Sequence, residues 1–182
     1  MSVVTKKKPT VDVDVIVIFA NLTRPDNFQK YSVQFAPKNE AELAKLSHLG
    51  VTAKPKLSDS LAKEVAKLKL DPSNIFSTTR KLEFGPVNVV DTQGNVTTEI
   101  VGNGSTVRLR MTVSRTLSKT TGEIVTTLYM TDAQVLNLVP YVKAPKAPAF
   151  GKTTDGTFVS TGIVDTEEES PLPEEDRLNV LK

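Results

Sequence analysis

Apolar and polar residues alternate along much of the chain, which predicts a protein built mainly from β-strands. Between Val11 and Phe19 every second residue is apolar, while Asp12 and Asp14 fall on the opposite face. The stretch from Lys30 to Phe35 alternates in the same way. Because the side chains of a strand point alternately to its two faces, this period of two predicts two half-buried strands.

A helical period interrupts the strands in the second quarter of the chain. Asn39, with Glu42 three positions later, fits the cap at the start of a helix, and Gly50 fits its end. Ser58 is the candidate cap of a second helix, which Asp71–Pro72 would end. We therefore expect two helices between an early and a later group of strands.

The strand pattern returns after the helices and continues to about residue 142. The predicted strands cover residues 77–90 (with a bend at 85–86), 96–101, 106–114, 124–130 and 133–142. Within 106–114, Arg108 and Arg110 face away from the apolar side. Six or seven strands separated by turns predict an all-β fold with inserted helices, arranged as a barrel or a sandwich.

Charge is divided unevenly between a basic body and an acidic end. Residues 163–182 hold seven acids and two bases, whereas the rest holds seven more bases than acids. The seven acids are Asp165, Glu167, Glu168, Glu169, Glu174, Glu175 and Asp176. With the proline-rich stretch 143–149, this predicts a folded domain over 1–142 and a linker with an acidic tail over 143–182. Such a division is typical of nucleic-acid-handling proteins and equally of domains with a solubilising tail.

Few residues of the kinds that catalysis requires are present. The chain has no cysteine and a single histidine, His48, which predicts no metal site, no cofactor and no Ser–His triad. We therefore expect a binding protein and not an enzyme. The apolar stretches are too short to span a bilayer, and the N-terminus is unlike a signal peptide, so no membrane partner is expected.

Basic and aromatic residues on the predicted strands form a candidate binding surface for nucleic acid. Cations spaced two residues apart can follow a phosphate backbone, and exposed rings can stack on bases. The candidates are Lys30, Tyr31, Arg80, Lys81, Phe84, Arg108, Arg110 and Tyr129. The alternative is that the rings belong to the core and the arginines to a solvated face. Tyr31 in particular shares its face with Val33 and Phe35.

Three stretches follow one another in a distinctive order, at residues 20–38, 87–110 and 133–141. The second is the most specific: a valine-rich strand, an Asp-x-x-Gly turn, a Gly-x-Gly-Ser turn and an alternating basic strand. In this order the sequence resembles the single-stranded DNA-binding proteins of podovirus-type phages, best known from the lytic coliphages.

The resemblance implies a five-stranded OB-fold barrel with an inserted helix, which binds single strands largely without sequence preference and forms a homodimer. It implies coating and protection of single-stranded DNA during phage replication, recombination and repair, in the cytoplasm of the infected bacterium. The acidic tail would contact the phage DNA polymerase and helicase–primase. The sequence departs from the family in lacking tryptophan and in ending without an aromatic residue.

Two other functions fit the same pattern of residues. The first is an OB-like RNA-binding module, which would prefer RNA because it reads the 2′-hydroxyl. The second is a protein–protein interaction or scaffold protein, which would have no affinity for DNA even at low salt.

Overall fold

Six strands and two helices are formed by the residues that the computed structural model describes, which are 8–51 and 54–143. The strands are β1 (Thr10–Asn21), β2 (Lys30–Pro37), β3 (Phe76–Lys81), β4 (Asn88–Val90), β5 (Thr106–Leu117) and β6 (Ile124–Asn137). The helices are α1 (Glu40–His48) and α2 (Asp59–Lys67). The expectation of a mostly β protein with inserted helices is confirmed. The division near residue 142 stays a prediction, because residues 144–182 lie outside the described part.

The strands form one sheet in the order β3-β2-β1-β5-β6-β4. Strand β3 also pairs in parallel with β6, where Thr79 is opposite Tyr129. Five strands are therefore connected in a ring, β1-β2-β3-β6-β5, and β4 pairs with β6 farther along that strand, at Asp132–Gln134. Strand β1 pairs with β5 through its first half and with β2 through its second half, so it connects these two strands in the ring.

The alternation seen in the sequence places one face of each strand inside the ring. Val13, Val15 and Val17 of β1 are fully buried there. The buried residues of β5 on the same side are Val107, Leu109, Met111 and Val113. Asp12, Asp14, Arg108 and Arg110 lie on the opposite, outer face. Burial of these apolar side chains is the main stabilising contribution to the ring.

Both helices begin where the sequence predicts and pack against β1. The Asn39 side chain accepts a hydrogen bond from the Glu42 backbone N–H at 3.0 Å. The Glu42 carboxylate in turn accepts from the backbone N–H of Asp14 at 3.0 Å, which fixes α1 to β1. Helix α2 packs Leu61 and Val65 in a second apolar cluster with Ile18 of β1.

Four of the predicted strands are lost, merged or divided in the structure. Residues 96–101 form only isolated bridges at their two ends, where Val96 pairs with Val90 and Val101 with Pro140. The predicted strands 124–130 and 133–142 are one strand that ends at Asn137. Thr131 is an extra residue opposite the Arg110–Met111 step, so the interruption between the two predicted strands is a β-bulge. The predicted strand 77–90 is divided by a 3-10 turn at Leu82–Phe84.

Candidate nucleic-acid interface

Residues from four strands form a continuous outer surface where β2, β3, β6 and β5 lie side by side. Lys30 of β2 is directly opposite Lys81 of β3. Thr79 of β3 is opposite Tyr129 of β6, and Tyr129 is opposite Thr112 of β5. Because side chains at paired positions point to the same face, these pairings place two cations, a ring and two hydroxyls on one surface.

A groove of about 800 Å³ runs over this surface and contains five of the eight candidate residues. The five are Lys30, Arg80, Lys81, Phe84 and Tyr129. Hydroxyl side chains also line it, at Thr79, Thr112, Ser114, Thr127 and Thr131, and Lys8 lies at its margin. Cations, rings and hydroxyl donors therefore line the same groove, which we call the outer groove.

Lys30 and Lys81 of the outer groove are exposed and able to meet an anion. Within the described residues, Lys30 has no ion-pair partner. Lys81 is 3.1 Å from the carboxylate of Glu83, but both side chains are mostly exposed. An exposed pair of this kind contributes only about 0–1 kcal/mol, so it does not hold Lys81 away from a stronger anionic partner.

Two aromatic rings are displayed at the outer groove in different ways. Tyr129 is 45% exposed and projects from the outer face of β6, where its backbone is fixed by pairing with β5 and β3. Phe84 is 63% exposed and ends the 3-10 turn at Leu82–Phe84, followed by Gly85 at φ +79°. Rings that are exposed in this way are accessible to an incoming base.

Arg80 lines the outer groove but uses its guanidinium within the protein. Its Nε donates to the carbonyl of Gly85 at 2.9 Å and its Nη1 to that of Met130 at 3.4 Å. Its Nη2 donates to the carbonyl of Phe84. The side chain is half-buried, unlike those of Lys30 and Lys81.

Tyr31 is not part of the interface, and the prediction that it is a stacking residue was wrong. The side chain is only 5% exposed and lies inside the ring with Val33 and Phe35. The alternation of β2 explains this result, because the three residues share the face that the ring encloses.

Arg108 and Arg110 lie on the outer face of β5, beyond the outer groove, and each is paired with an aspartate of β1. Arg108 Nε donates to Asp14 at 2.7 Å and Arg110 Nη2 to Asp12 at 2.7 Å, with a second hydrogen bond in each pair. These bidentate pairs neutralise much of the positive charge on that part of the face. Thr112, two residues beyond Arg110, connects this row to the outer groove.

The arginine pairs lower the pKa of both aspartates. For Asp12 the main cause is the hydrogen bond from Arg110, and for Asp14 it is the hydrogen bond from Arg108. A carboxylate whose pKa is lower in the folded state binds fewer protons than it does in the unfolded chain. Its stabilising contribution is therefore present above the unfolded value of 3.8 and is lost as the pH falls through the folded-state pKa.

We accordingly expect the free energy of unfolding to fall as the pH is lowered below about 4. Urea unfolding of the wild type and of Asp12→Asn/Asp14→Asn at a series of pH values measures this contribution. The wild type should lose its advantage over the variant as the pH falls from about 5 to 2. A difference that stays constant with pH would show that the two ion pairs do not stabilise the fold.

One exposed ring near the outer groove was not predicted from the sequence. Phe28 is 80% exposed in the loop between β1 and β2, two residues before Lys30. Asp26 holds this loop by accepting hydrogen bonds from the backbone N–H groups of Phe28 and Lys30. Phe28 lies between the two alternating stretches Val11–Phe19 and Lys30–Phe35, and an aromatic residue inside a loop has no periodic pattern that indicates its exposure.

Two further findings concern metal binding and membrane-spanning helices. In the ranges 8–51 and 54–143, no group of three or more His, Asp or Glu side chains is placed to hold a metal ion. Neither of the helices in these ranges is long and apolar enough to cross a membrane.

Comparison with known proteins gives matches among solved structures alone. No protein-family model and no curated protein sequence matches the chain. The single-stranded DNA-binding protein gp2.5 of bacteriophage T7 is 14% identical, with 85% of this chain and all of that chain covered and a TM-score of 0.49. The single-stranded DNA-binding protein of bacteriophage Enc34 is 9% identical, with 76% and 87% covered and a TM-score of 0.47.

A structure of the Enc34 protein in complex with single-stranded DNA is also similar. It is 11% identical, with 70% of this chain and 86% of that chain covered and a TM-score of 0.42. Since every TM-score is below 0.5, the similarity establishes neither a shared family nor a shared function.

Proposed function

We propose that this chain is a single-stranded DNA-binding protein whose binding surface is the outer groove. The observation that carries the proposal is the direct opposition of Lys30 and Lys81, next to two exposed rings on the same groove. Like charges opposite each other on neighbouring strands destabilise a sheet. A phosphate between the two ammonium groups relieves that repulsion, so the pair is arranged to hold an anion.

The ring of five strands supports the further proposal of an OB-fold barrel. Its order, β1-β2-β3-β6-β5, is closed by a parallel contact between the third and the last strand. OB-folds bind oligonucleotides on the face of their second and third strands and through the loop between the first and second. In this chain that face carries Lys30 and Lys81, and that loop carries Phe28.

In the proposed mechanism the lysines bind phosphate and the rings bind bases. Lys30, Lys81 and Lys8 neutralise phosphates and release counterions, which supplies most of the affinity. Phe84 and Tyr129 stack on bases, and stacking is tolerant of sequence because every base has a π-face. The hydroxyl groups along β5 and β6 donate hydrogen bonds to phosphate oxygens. Duplex DNA has its bases already stacked, so it cannot use the rings in this way.

Arg108 and Arg110 are proposed as an extension of the interface along β5. They lie on the same face as Thr112, which lines the outer groove. Because Asp12 and Asp14 neutralise part of their charge, each arginine contributes less to phosphate binding than Lys30 or Lys81. A phosphate that approaches this row meets a guanidinium that still has N–H groups outside its bidentate pair.

The biological setting is proposed from the sequence resemblance. The protein would coat and protect single-stranded DNA in phage replication, recombination and repair, in the cytoplasm of the infected bacterium. It would act as a homodimer, and its acidic tail would contact the phage DNA polymerase and helicase–primase. The tail acids lie outside the described residues, so their roles rest on charge and resemblance.

Removal of the tail, residues 163–182, is expected to tighten binding of single-stranded DNA. The tail carries a net charge of about −5 and competes with phosphate for the basic groove. The gain should be largest at low salt, where charges are least screened. Affinities of the full and shortened chains for an oligothymidylate, measured at two salt concentrations, test this. Equal affinities would exclude competition between tail and DNA.

The proposed function is tested by fluorescence anisotropy with a labelled oligothymidylate of about 30 nucleotides. We expect tight binding whose log K falls with log[salt] by about 0.7 for each phosphate neutralised. Same-length RNA and duplex DNA should compete weakly. Stronger competition by RNA would instead favour an RNA-binding module, and the absence of any binding at low salt would favour a protein–protein function.

A further inference from the structure

The guanidinium of Arg80 joins the two structural elements that display rings at the outer groove. Two of its hydrogen bonds go to the carbonyls of Phe84 and Gly85, which belong to the turn after β3. The third goes to the carbonyl of Met130, the residue after Tyr129 on β6. One planar group thus fixes the turn that carries Phe84 relative to the strand that carries Tyr129.

The turn has little else to hold it in place. Its backbone hydrogen bonds are from Gly85 N–H to the Leu82 carbonyl and from Leu82 N–H to the Gln29 carbonyl, both 2.9 Å. Gly85 has φ +79° and ψ 172°, a conformation that is open essentially to glycine alone. Phe84 itself is mostly exposed, so packing contributes little to its position.

We propose that Arg80 is a positioning residue for Phe84 and not a phosphate ligand. Its donors are directed at backbone carbonyls inside the wall of the groove, whereas Lys30 and Lys81 are exposed. The fork of an arginine is required for this role, because lysine presents one compact ammonium group and cannot reach three separate carbonyls at once. The proposal rests on the proposed function, since it assigns Arg80 a role within DNA binding.

The two roles predict opposite results for Arg80→Lys, which keeps the charge and loses the fork. If Arg80 positions Phe84, Arg80→Lys should weaken binding of an oligothymidylate about as much as Phe84→Ala, roughly 5- to 100-fold. The double variant should bind little worse than either single variant, because both changes remove the same interaction. The slope of log K against log[salt] should stay at the wild-type value.

If Arg80 instead binds phosphate, the expected results are different. Arg80→Lys should bind nearly as well as the wild type, since the charge is kept. Arg80→Ala should reduce the salt slope by about 0.7, and its effect should multiply with that of Phe84→Ala. That pattern would overturn the proposal.

A measurement without DNA separates failure of this proposal from failure of the proposed function. In Arg80→Lys, amide hydrogen exchange should become faster at Gly85, whereas Gly94, in a turn away from Arg80, serves as the control. Unchanged exchange at Gly85 would overturn the positioning role even if the protein binds no DNA. Thermal unfolding checks that the variant is folded. If it is not, Gly85→Ala, which strains the turn with Arg80 intact, should reproduce the binding loss of Phe84→Ala, and wild-type affinity would contradict the proposal.

Discussion

Replacing both Lys30 and Lys81 with glutamate is expected to weaken binding of single-stranded DNA by roughly 30- to 1,000-fold at low salt. Each reversal removes an attraction and adds a repulsion of about 0.5–1 kcal/mol at an exposed site. The total for two residues is about 2–4 kcal/mol, which corresponds to that range of dissociation constants. The salt slope should also fall by about 1.4, because two phosphates are no longer neutralised.

The matched control for this variant is Lys56→Glu/Lys63→Glu. It makes the same change in net charge at two exposed lysines that do not line the outer groove. Net charge alone should cost it only a small, salt-sensitive loss of affinity. Equal losses of affinity in the two variants would mean that the whole basic body attracts DNA and that the outer groove has no specific role in binding.

The second large effect is expected from Tyr129→Ala and Phe84→Ala. Each change removes a ring that we propose to stack on a base, and the loss of such stacking should cost about 1–3 kcal/mol per ring. The double variant should therefore bind roughly 30-fold to 20,000-fold more weakly, with little change in the salt slope because no charge is altered. Both rings are largely exposed, so the fold should tolerate their loss.

Tyr141→Ala is the control for loss of an aromatic side chain. Tyr141 is exposed but lines a different depression, beside Arg24 and Ile100. The affinity of the Tyr141→Ala variant for single-stranded DNA should stay close to that of the wild type. If Tyr141→Ala weakens binding as much as Tyr129→Ala, the DNA path must extend to that depression or lie there instead.

The parts of the fold that depend on neighbouring residues could be predicted from the sequence. The alternation in β1 and β5 correctly separates the buried valines from the outward aspartates and arginines. Asn39 and Ser58 cap the two helices because a short polar side chain can accept from a backbone N–H three residues later. These features need no knowledge of how distant strands meet.

The parts that depend on strand pairing could not be predicted from the sequence. The ion pair of Arg108 with Asp14 joins residues 94 positions apart, and it requires β1 and β5 to be neighbours in one register. The outer groove likewise combines Lys30 with Tyr129, which come together through the closure of the ring at Thr79. The burial of Tyr31 follows from its alternation with Val33 and Phe35, and here the apolar pattern was a better guide than residue type.

The most direct test of the central claim is photo-crosslinking of the full chain to an oligonucleotide that contains 5-iododeoxyuridine, followed by mapping of the crosslinked peptides. Because stacked rings lie closest to the bases, we expect crosslinks at Phe84 and Tyr129. An excess of unlabelled oligothymidylate should abolish them, and duplex DNA should not. Crosslinks at Tyr141 with none at the outer groove would contradict the proposed binding surface.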